Sequence, residues 1–134
     1  MQLTSDQKLQ IVLAGAHTSL DMNGITNYED IPLGPKMDPQ GIVFPQPGSL
    51  NWASNGVTAV DICGAPAVGF VRRVQSILID NLDTGTDVAS FQTYSISGAA
   101  VLKVIWKWSI ATLYQVQYTF SGGWKMFTSA GVTE

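Results

Sequence analysis

Few residues of this 134-residue chain belong to the types that carry out acid–base, nucleophilic or zinc chemistry. It has one histidine, His17, and one cysteine, Cys63. A nucleophilic enzyme needs a nucleophile, a base and an orienting group in one pocket, and a structural zinc site needs four ligands. The chain shows no such set. We therefore predict a protein that is not an enzyme, with no catalytic residue, no metal ligand and no cofactor.

Carboxylates are the other route to chemistry. Asp80, Asp83 and Asp87 form the one cluster, but the loop lacks the spacing of a calcium-binding loop, and Gly85 among them favours ordinary turn structure. A glycosidase needs two facing carboxylates. Asp61 and Asp80 flank predicted strands, and nothing beyond that position points to this role.

Exposed aromatic rings would allow a different function, the stacking of sugars. The tryptophans are Trp52, Trp106, Trp108 and Trp124. The last three alternate with aliphatic residues, a pattern that favours the core. Trp52 is the ring on which a carbohydrate-binding hypothesis would first be tested.

The strongest structural signal runs from Val101 to Phe127. Its apolar residues occupy every second position, as Leu102, Val104, Trp106, Trp108 and Ile110, then Tyr114, Val116, Tyr118 and Phe120, then Trp124 and Met126. Alternation with a period of two places these side chains on one face of a strand. We predict three half-buried strands in an antiparallel meander with one face in water.

Other strands are predicted on both sides of this region. Including the meander, six begin near Val57, Val71, Val88, Val101, Thr112 and Trp124. One or two more are expected in the N-terminal part, near residues 8–14 and 25–31. Short strands separated by turns, without amphipathic helices, indicate an all-β antiparallel β-sandwich or jelly roll. We divide the chain into residues 1–56, with N-terminal strands and an extended proline-rich arm, and residues 57–134, the β-sandwich domain.

The arm is the segment from Pro32 to Pro47, which holds five of the six prolines. Proline lacks a backbone donor and restricts the residue before it, so no regular element is expected to continue through the segment. Arg72 and Arg73 place one guanidinium on each face of a strand, and at least one needs a carboxylate partner. Candidate interface residues are Ile31, Leu33, Met37, Ile42, Val43, Phe44, Trp52, Arg72 and Arg73.

The composition indicates contact with other proteins. Only 13% of residues are charged, against roughly 25% in an average soluble protein. The net charge of −3 argues against nucleic-acid binding, which needs a basic patch. No apolar run approaches the roughly 18 residues that would suggest a membrane span, and no signal peptide is visible. We expect Cys63 to be buried and synthesis to take place in a cytoplasm.

Several pieces of the chain occur in an order that resembles a family of small tailed-bacteriophage virion proteins. They are Leu9–Leu13, Tyr28–Asp30, Thr58–Val60 with Ala65-Pro66, Arg72–Val74 with Ile77 and Ile79, Asn81 with Asp83-Thr84, Tyr118, Gly123–Lys125 and Gly131. The chain departs from the family at Ser109–Thr112, where a Pro-Gly turn is expected, and in its longer proline-rich segment.

The resemblance implies a β-sandwich virion component that forms symmetric oligomers on heads or tails. We predict a capsid decoration, or cement, protein that bridges capsomers on the head surface. It would form a homo-oligomer, dimer or trimer, and contact the major capsid protein or tail proteins. The alternative is a tail or fibre component that binds carbohydrate during adsorption to the host.

Overall fold

The structure, a computed structural model, describes residues 1–34 and 45–133. Its strands are β1 (Gln2–Leu3), β2 (Gln7–Leu13), β3 (Asn23–Pro32), β4 (Gln46–Ala53), β5 (Val60–Cys63), β6 (Phe70–Asp80), β7 (Asp87–Ser95), β8 (Ala100–Ile110), β9 (Gln115–Thr119) and β10 (Gly123–Phe127). Within the described ranges, no helix has the length and hydropathy needed to cross a bilayer.

The strands form two antiparallel sheets. Sheet A has the order β10-β9-β6-β3-β4, and β1 pairs with the first part of β6 beside β9. Sheet B has the order β5-β2-β7-β8. The prediction of an all-β fold built from antiparallel sheets is confirmed, and the arrangement is consistent with a β-sandwich.

The core lies between the sheets and uses the alternation of each strand. Leu9, Ile11 and Leu13 of β2 are buried on sheet B, and Ile77 and Ile79 of β6 are buried on sheet A. Val74 is buried as well, three residues before Ile77. A register shift opposite Asn27 and Tyr28 accounts for this spacing, because an extra residue in β6 returns the next side chains to the core face.

Eight of the strands match predicted ones, with shifts of a few residues at their ends. Two strands, β1 and β4, were not predicted from the sequence. β4 contains Pro47 and Gly48 and lacks alternation. It lies at the edge of sheet A and pairs with β3 alone. Edge strands tolerate proline because one side needs no ladder hydrogen bond.

The predicted meander of the last three strands is wrong. β9 pairs with β10, whereas β8 pairs with β7 in the other sheet. Between β8 and β9 the chain crosses from sheet B to sheet A through a turn in which Leu113 has a φ of +63°. Alternation shows that a strand has a buried face, and it cannot show which strand lies beside it.

The N-terminal part is shared between both sheets. β2 lies between β5 and β7, and β3 lies between β6 and β4. A division at residue 56 therefore does not separate two sets of strands. β3 continues to Pro32 and β4 begins at Gln46, so strand structure extends into both ends of the predicted arm. The rest of the arm, residues 35–44, lies outside the described residues.

Candidate interaction surface

Strand β8 forms one edge of sheet B. Its eleven residues pair with β7 on one side, and no other strand of the described residues pairs with them. The opposite side of an edge strand presents backbone N–H and C=O groups that no ladder satisfies. We define the β8 surface as the exposed side chains of Val101, Leu102, Lys103, Val104, Lys107 and Trp108.

Two register shifts set the direction of these side chains. Trp106 faces Phe91 and Val104 faces Gln92, so Ile105 is an extra residue in β8; Leu102 is extra in the same way. A bulge of this kind reverses the face on which the following residues lie. Trp106 and Trp108 share the core face with Phe91, while Val104 lies on the outer face. The sequence placed all three on one face, and that prediction is wrong for Val104.

The surface is more apolar than an edge strand needs to be. Val101, Leu102 and Val104 are about half exposed, at 47%, 52% and 50%, and Trp108 is 40% exposed. Single exposed apolar residues are ordinary, but three of them within residues 101–104 of one edge strand are typical of a surface that contacts another molecule. Lys103 and Lys107 are exposed between them and form no ion pair within the described chain.

The charge of this region differs from that of the rest of the protein. Residues 88–133 contain three lysines, Lys103, Lys107 and Lys125, and no aspartate or glutamate. Their formal charge is therefore +3, in a chain whose net charge is −3. Lys125 lies on β10, the edge strand of sheet A. One edge of the fold is thus basic, although the protein as a whole is acidic.

Aromatic packing fixes the base of the β8 surface. Trp106 stacks on Trp124 of β10 with ring centroids 4.6 Å apart and planes 6° apart. Phe91 contacts both rings at 5.1 Å, and Trp108 meets Trp106 edge to face at 4.9 Å. These contacts join the edge strands of the two sheets. They indicate that the edge keeps its shape without a partner.

The turn before β8 is held by Asp6. Its carboxylate accepts hydrogen bonds from the Ser97 N–H at 2.8 Å and from the hydroxyls of Ser95 and Ser97 at 2.7 and 2.9 Å. Led by the Ser95 hydroxyl, these donors lower the pKa of Asp6 from its usual value. The β7–β8 hairpin is thereby tied to the start of β2.

Arg72 and Arg73, the arginines that the sequence analysis proposed as interface residues, lie on β6 and not on the β8 surface. Arg72 donates to both oxygens of Asp30, at 2.7 and 2.8 Å, and to the carbonyl oxygen of Gly64 at 3.0 Å. Its guanidinium also lies 3.8 Å from the centre of the Tyr28 ring. Arg72 thus joins sheet A to the segment after β5 of sheet B.

Arg73 is on the other face of β6 and contacts Glu29 at 3.1 Å and the Phe120 ring at 4.9 Å. The expectation that at least one arginine has a carboxylate partner is confirmed, since both do. Their principal contacts are within the chain. Their role in an interface between proteins stays a prediction.

The remaining predicted interface residues are dispersed. The Trp52 ring is buried, 8% exposed, and its Nε1 donates to Thr26 Oγ1 at 2.9 Å. Ile31 is half-buried in β3, and Leu33 is exposed beyond it. Met37, Ile42, Val43 and Phe44 lie outside the described residues. The structure therefore brings none of the described candidates to the β8 surface.

The aspartate cluster is a structural staple. Asp83 is fully buried, and its carboxylate accepts hydrogen bonds from the backbone N–H groups of Thr18 and Ser19, both at 2.6 Å, and of Leu20 at 3.2 Å. Burial raises its pKa, but these donors outweigh burial, and the pKa lies far below its usual value. The β2–β3 loop is held by this carboxylate.

Asp87, a neighbour of Asp83, should destabilise the folded state when its carboxyl is ionised. Burial, and then the charge of Asp83, raise its pKa, and its Oδ2 has no hydrogen-bond partner. The folded state binds this proton more tightly than the unfolded state, so stability falls as pH rises from about 4. We expect Asp87→Asn to add about 1 kcal/mol at pH 7.

Urea unfolding at several pH values measures this effect. The advantage of Asp87→Asn should shrink as the pH is lowered, because the wild-type carboxyl then takes up its proton. Asp61→Asn is the control, because Asp61 is more exposed and pairs with Lys8. A variant no more stable than wild type at pH 7 would contradict the assignment.

The single cysteine and the single histidine lie in different parts of the fold, Cys63 in β5 and His17 in the β2–β3 loop. Cys63 is buried as expected, and burial raises the pKa of its thiol to about 11. His17 is half-buried in the β2–β3 loop, with Nδ1 3.1 Å from Asp21 Oδ1. The described residues bring no three metal-ligating side chains together and form no pocket.

Comparison with known proteins gives no relative. No family model, no curated protein and no solved structure matches the chain.

Proposed function

We propose that this protein is a non-enzymatic structural component of a tailed-bacteriophage virion, acting as a capsid decoration protein. The observation that supports an assembly role is the β8 surface, where an edge strand paired on one side only exposes four large apolar side chains. The low share of charged residues agrees with a protein that covers much of its surface with partners. The virion assignment itself rests on the ordered sequence pieces described above.

A decoration protein stabilises a shell by binding only the assembled form. In this proposal the β8 surface contacts the major capsid protein across a capsomer boundary, and the protein forms a dimer or trimer through a separate contact. We further propose a jelly-roll connectivity, since the chain changes sheet after β1, β2, β4, β5, β6 and β8. The proline-rich arm is proposed, from sequence alone, to reach onto neighbours.

A tail or fibre protein that binds carbohydrate is the second candidate. The observation in its favour is Trp108, which is 40% exposed and held edge-on against Trp106. A ring fixed in this way offers a face for sugar stacking at low entropic cost. Trp52, the ring first considered for this role, is buried.

Immunogold labelling of intact particles from the source lysate tests the proposal. Antibody to this chain should label heads, with label spread over the whole surface. Label restricted to tails would favour the second candidate, and a glycan array with wild type and Trp108→Ala would then be the next measurement. Particles without label would refute a virion role.

A further inference from the structure

We propose that β8 accepts an extended, acidic segment of another protein as a fifth strand of sheet B. The inference names the chemistry of the partner and rests on the proposed assembly role. The observations that carry it are the open edge, the apolar side chains and the unpaired lysines of the β8 surface. Addition of a strand to a sheet edge uses backbone hydrogen bonds for affinity and side-chain contacts for specificity.

The open edge needs an explanation because exposed edges promote aggregation. Proteins protect edge strands with lysines and with β-bulges, and β8 has both. Protection explains Lys103 and Lys107, but it does not explain Val101, Leu102 and Val104, each about half exposed. An edge that only avoids pairing would carry polar side chains at these positions. In this proposal the lysines and bulges of β8 prevent pairing with most strands, while its exposed apolar side chains bind one particular partner strand.

The two lysines indicate that the partner strand carries negative charge. Lys103 faces Thr93 and Lys107 faces Ser90, three residues apart on β7. An odd separation along β7 places the two lysines on opposite faces of sheet B. A strand paired with β8 can therefore meet a positive charge on each face. Carboxylates opposite them would form favourable cross-strand pairs, and like charges would be repelled.

A second copy of β8 fits these charges poorly. Pairing two copies antiparallel brings four lysines together, and no acidic residue lies anywhere in residues 88–133.

The other edge of sheet B, β5, is also a poor partner. It has four residues, and Ile62 and Cys63 are fully buried. Its carboxylate, Asp61, already accepts hydrogen bonds from Lys8 at 2.9 Å and Gln10 at 2.8 Å. An acidic strand from a different protein is therefore the occupant that the observations favour.

Synthetic peptides test the inference with the purified full chain. The probe is a nine-residue peptide of valine and threonine with two glutamates three residues apart, so that one carboxylate lies on each face of the strand. The matched control replaces each glutamate with lysine. Calorimetry measures binding, and hydrogen exchange measures protection of the β8 amides. We expect saturable binding of the acidic peptide, with protection in β8, and at least tenfold weaker binding of the basic peptide.

Charge reversal in the protein supplies the decisive comparison. The double variant Lys103→Glu/Lys107→Glu should lose about tenfold or more in affinity for the acidic peptide and gain affinity for the basic one. Lys125→Glu, on β10, is the control and should change the preference much less. An acidic peptide with proline at its centre should bind poorly, because proline removes a ladder hydrogen bond.

Several results would overturn the inference. The first is that the acidic peptide shows no saturable binding to the wild type, or that both peptides bind equally well. A second is that the proline peptide binds as well as the acidic peptide. A third is a sedimentation measurement showing that the protein self-associates and that this, not the peptide, protects the β8 amides. The virion proposal fails separately. If peptides bind as expected but particles lack the protein, the function is wrong and the acidic-strand site stands. If Lys103→Glu/Lys107→Glu decorates particles normally, the site is wrong and the function stands.

Discussion

Replacement of Arg72 by methionine should lower the free energy of unfolding by about 3 kcal/mol. The guanidinium is 13% exposed and makes two hydrogen bonds to Asp30, which is 16% exposed, and one to the Gly64 carbonyl. Methionine keeps most of the side-chain volume but leaves a largely buried carboxylate and a carbonyl without their donor. The connection between the two sheets at this end is lost as well.

Arg73→Met is the matched control for this prediction. The neighbouring arginine pairs with Glu29 through one contact at 3.1 Å, and it is more exposed, at 33%. Exposed ion pairs contribute about 0–1 kcal/mol, so we expect a loss below about 1 kcal/mol. Urea denaturation of both variants gives the comparison. Equal losses would show that Arg72 does not join the sheets as described.

The second large effect is expected for Gly24→Ala, at about 3 kcal/mol of destabilisation. Gly24 lies opposite Trp52 in the β3–β4 pair, and a Cβ at Gly24 would overlap the indole ring. The ring cannot move aside freely, because it is buried and its Nε1 donates to the buried Thr26 hydroxyl. Overpacking of this kind costs about 1–3 kcal/mol, and the hydrogen bond adds about 1 kcal/mol if it breaks.

Gly15→Ala provides a control of opposite sign. Nothing lies within 4 Å of the position that its Cβ would take, and its φ is not positive. An alanine there restricts the unfolded chain and should stabilise by about 0.4–1 kcal/mol. Thermal unfolding of the two variants checks both expectations. A Gly24→Ala protein as stable as wild type would mean that Trp52 does not pack over β3.

The sequence predicts strands well where each has one apolar face. β2, β6 and β9 follow this rule, because every second side chain along most of their length faces the core. β4 does not, because Trp52 is its one buried apolar residue and the strand lies at an edge. Alternation is a property of single strands, so the separation of β8 from β9 into two sheets required the structure.

The β8 surface was hidden from sequence reasoning for a related reason. The alternation from Leu102 to Ile110 is regular, and a regular strand would have buried Val104 with Trp106 and Trp108. The bulge at Ile105 moves Val104 to the other face from Trp106 and Trp108, of which Trp108 is itself 40% exposed at the rim. No residue type in this stretch signals a bulge. The signal that was available is the absence of any carboxylate between Asp87 and Glu134, in a chain that is acidic overall.

The central claim is that the β8 surface binds a partner protein in the virion. The most direct measurement is co-sedimentation of purified protein with particles depleted of it, comparing wild type with Val101→Ser/Val104→Ser. The control is Val57→Ser/Val68→Ser, which changes two valines that are 63% and 85% exposed away from β8. We predict that the β8 variant folds normally and loses at least tenfold in particle affinity, while the control binds like wild type. Equal binding of all three proteins would contradict the account.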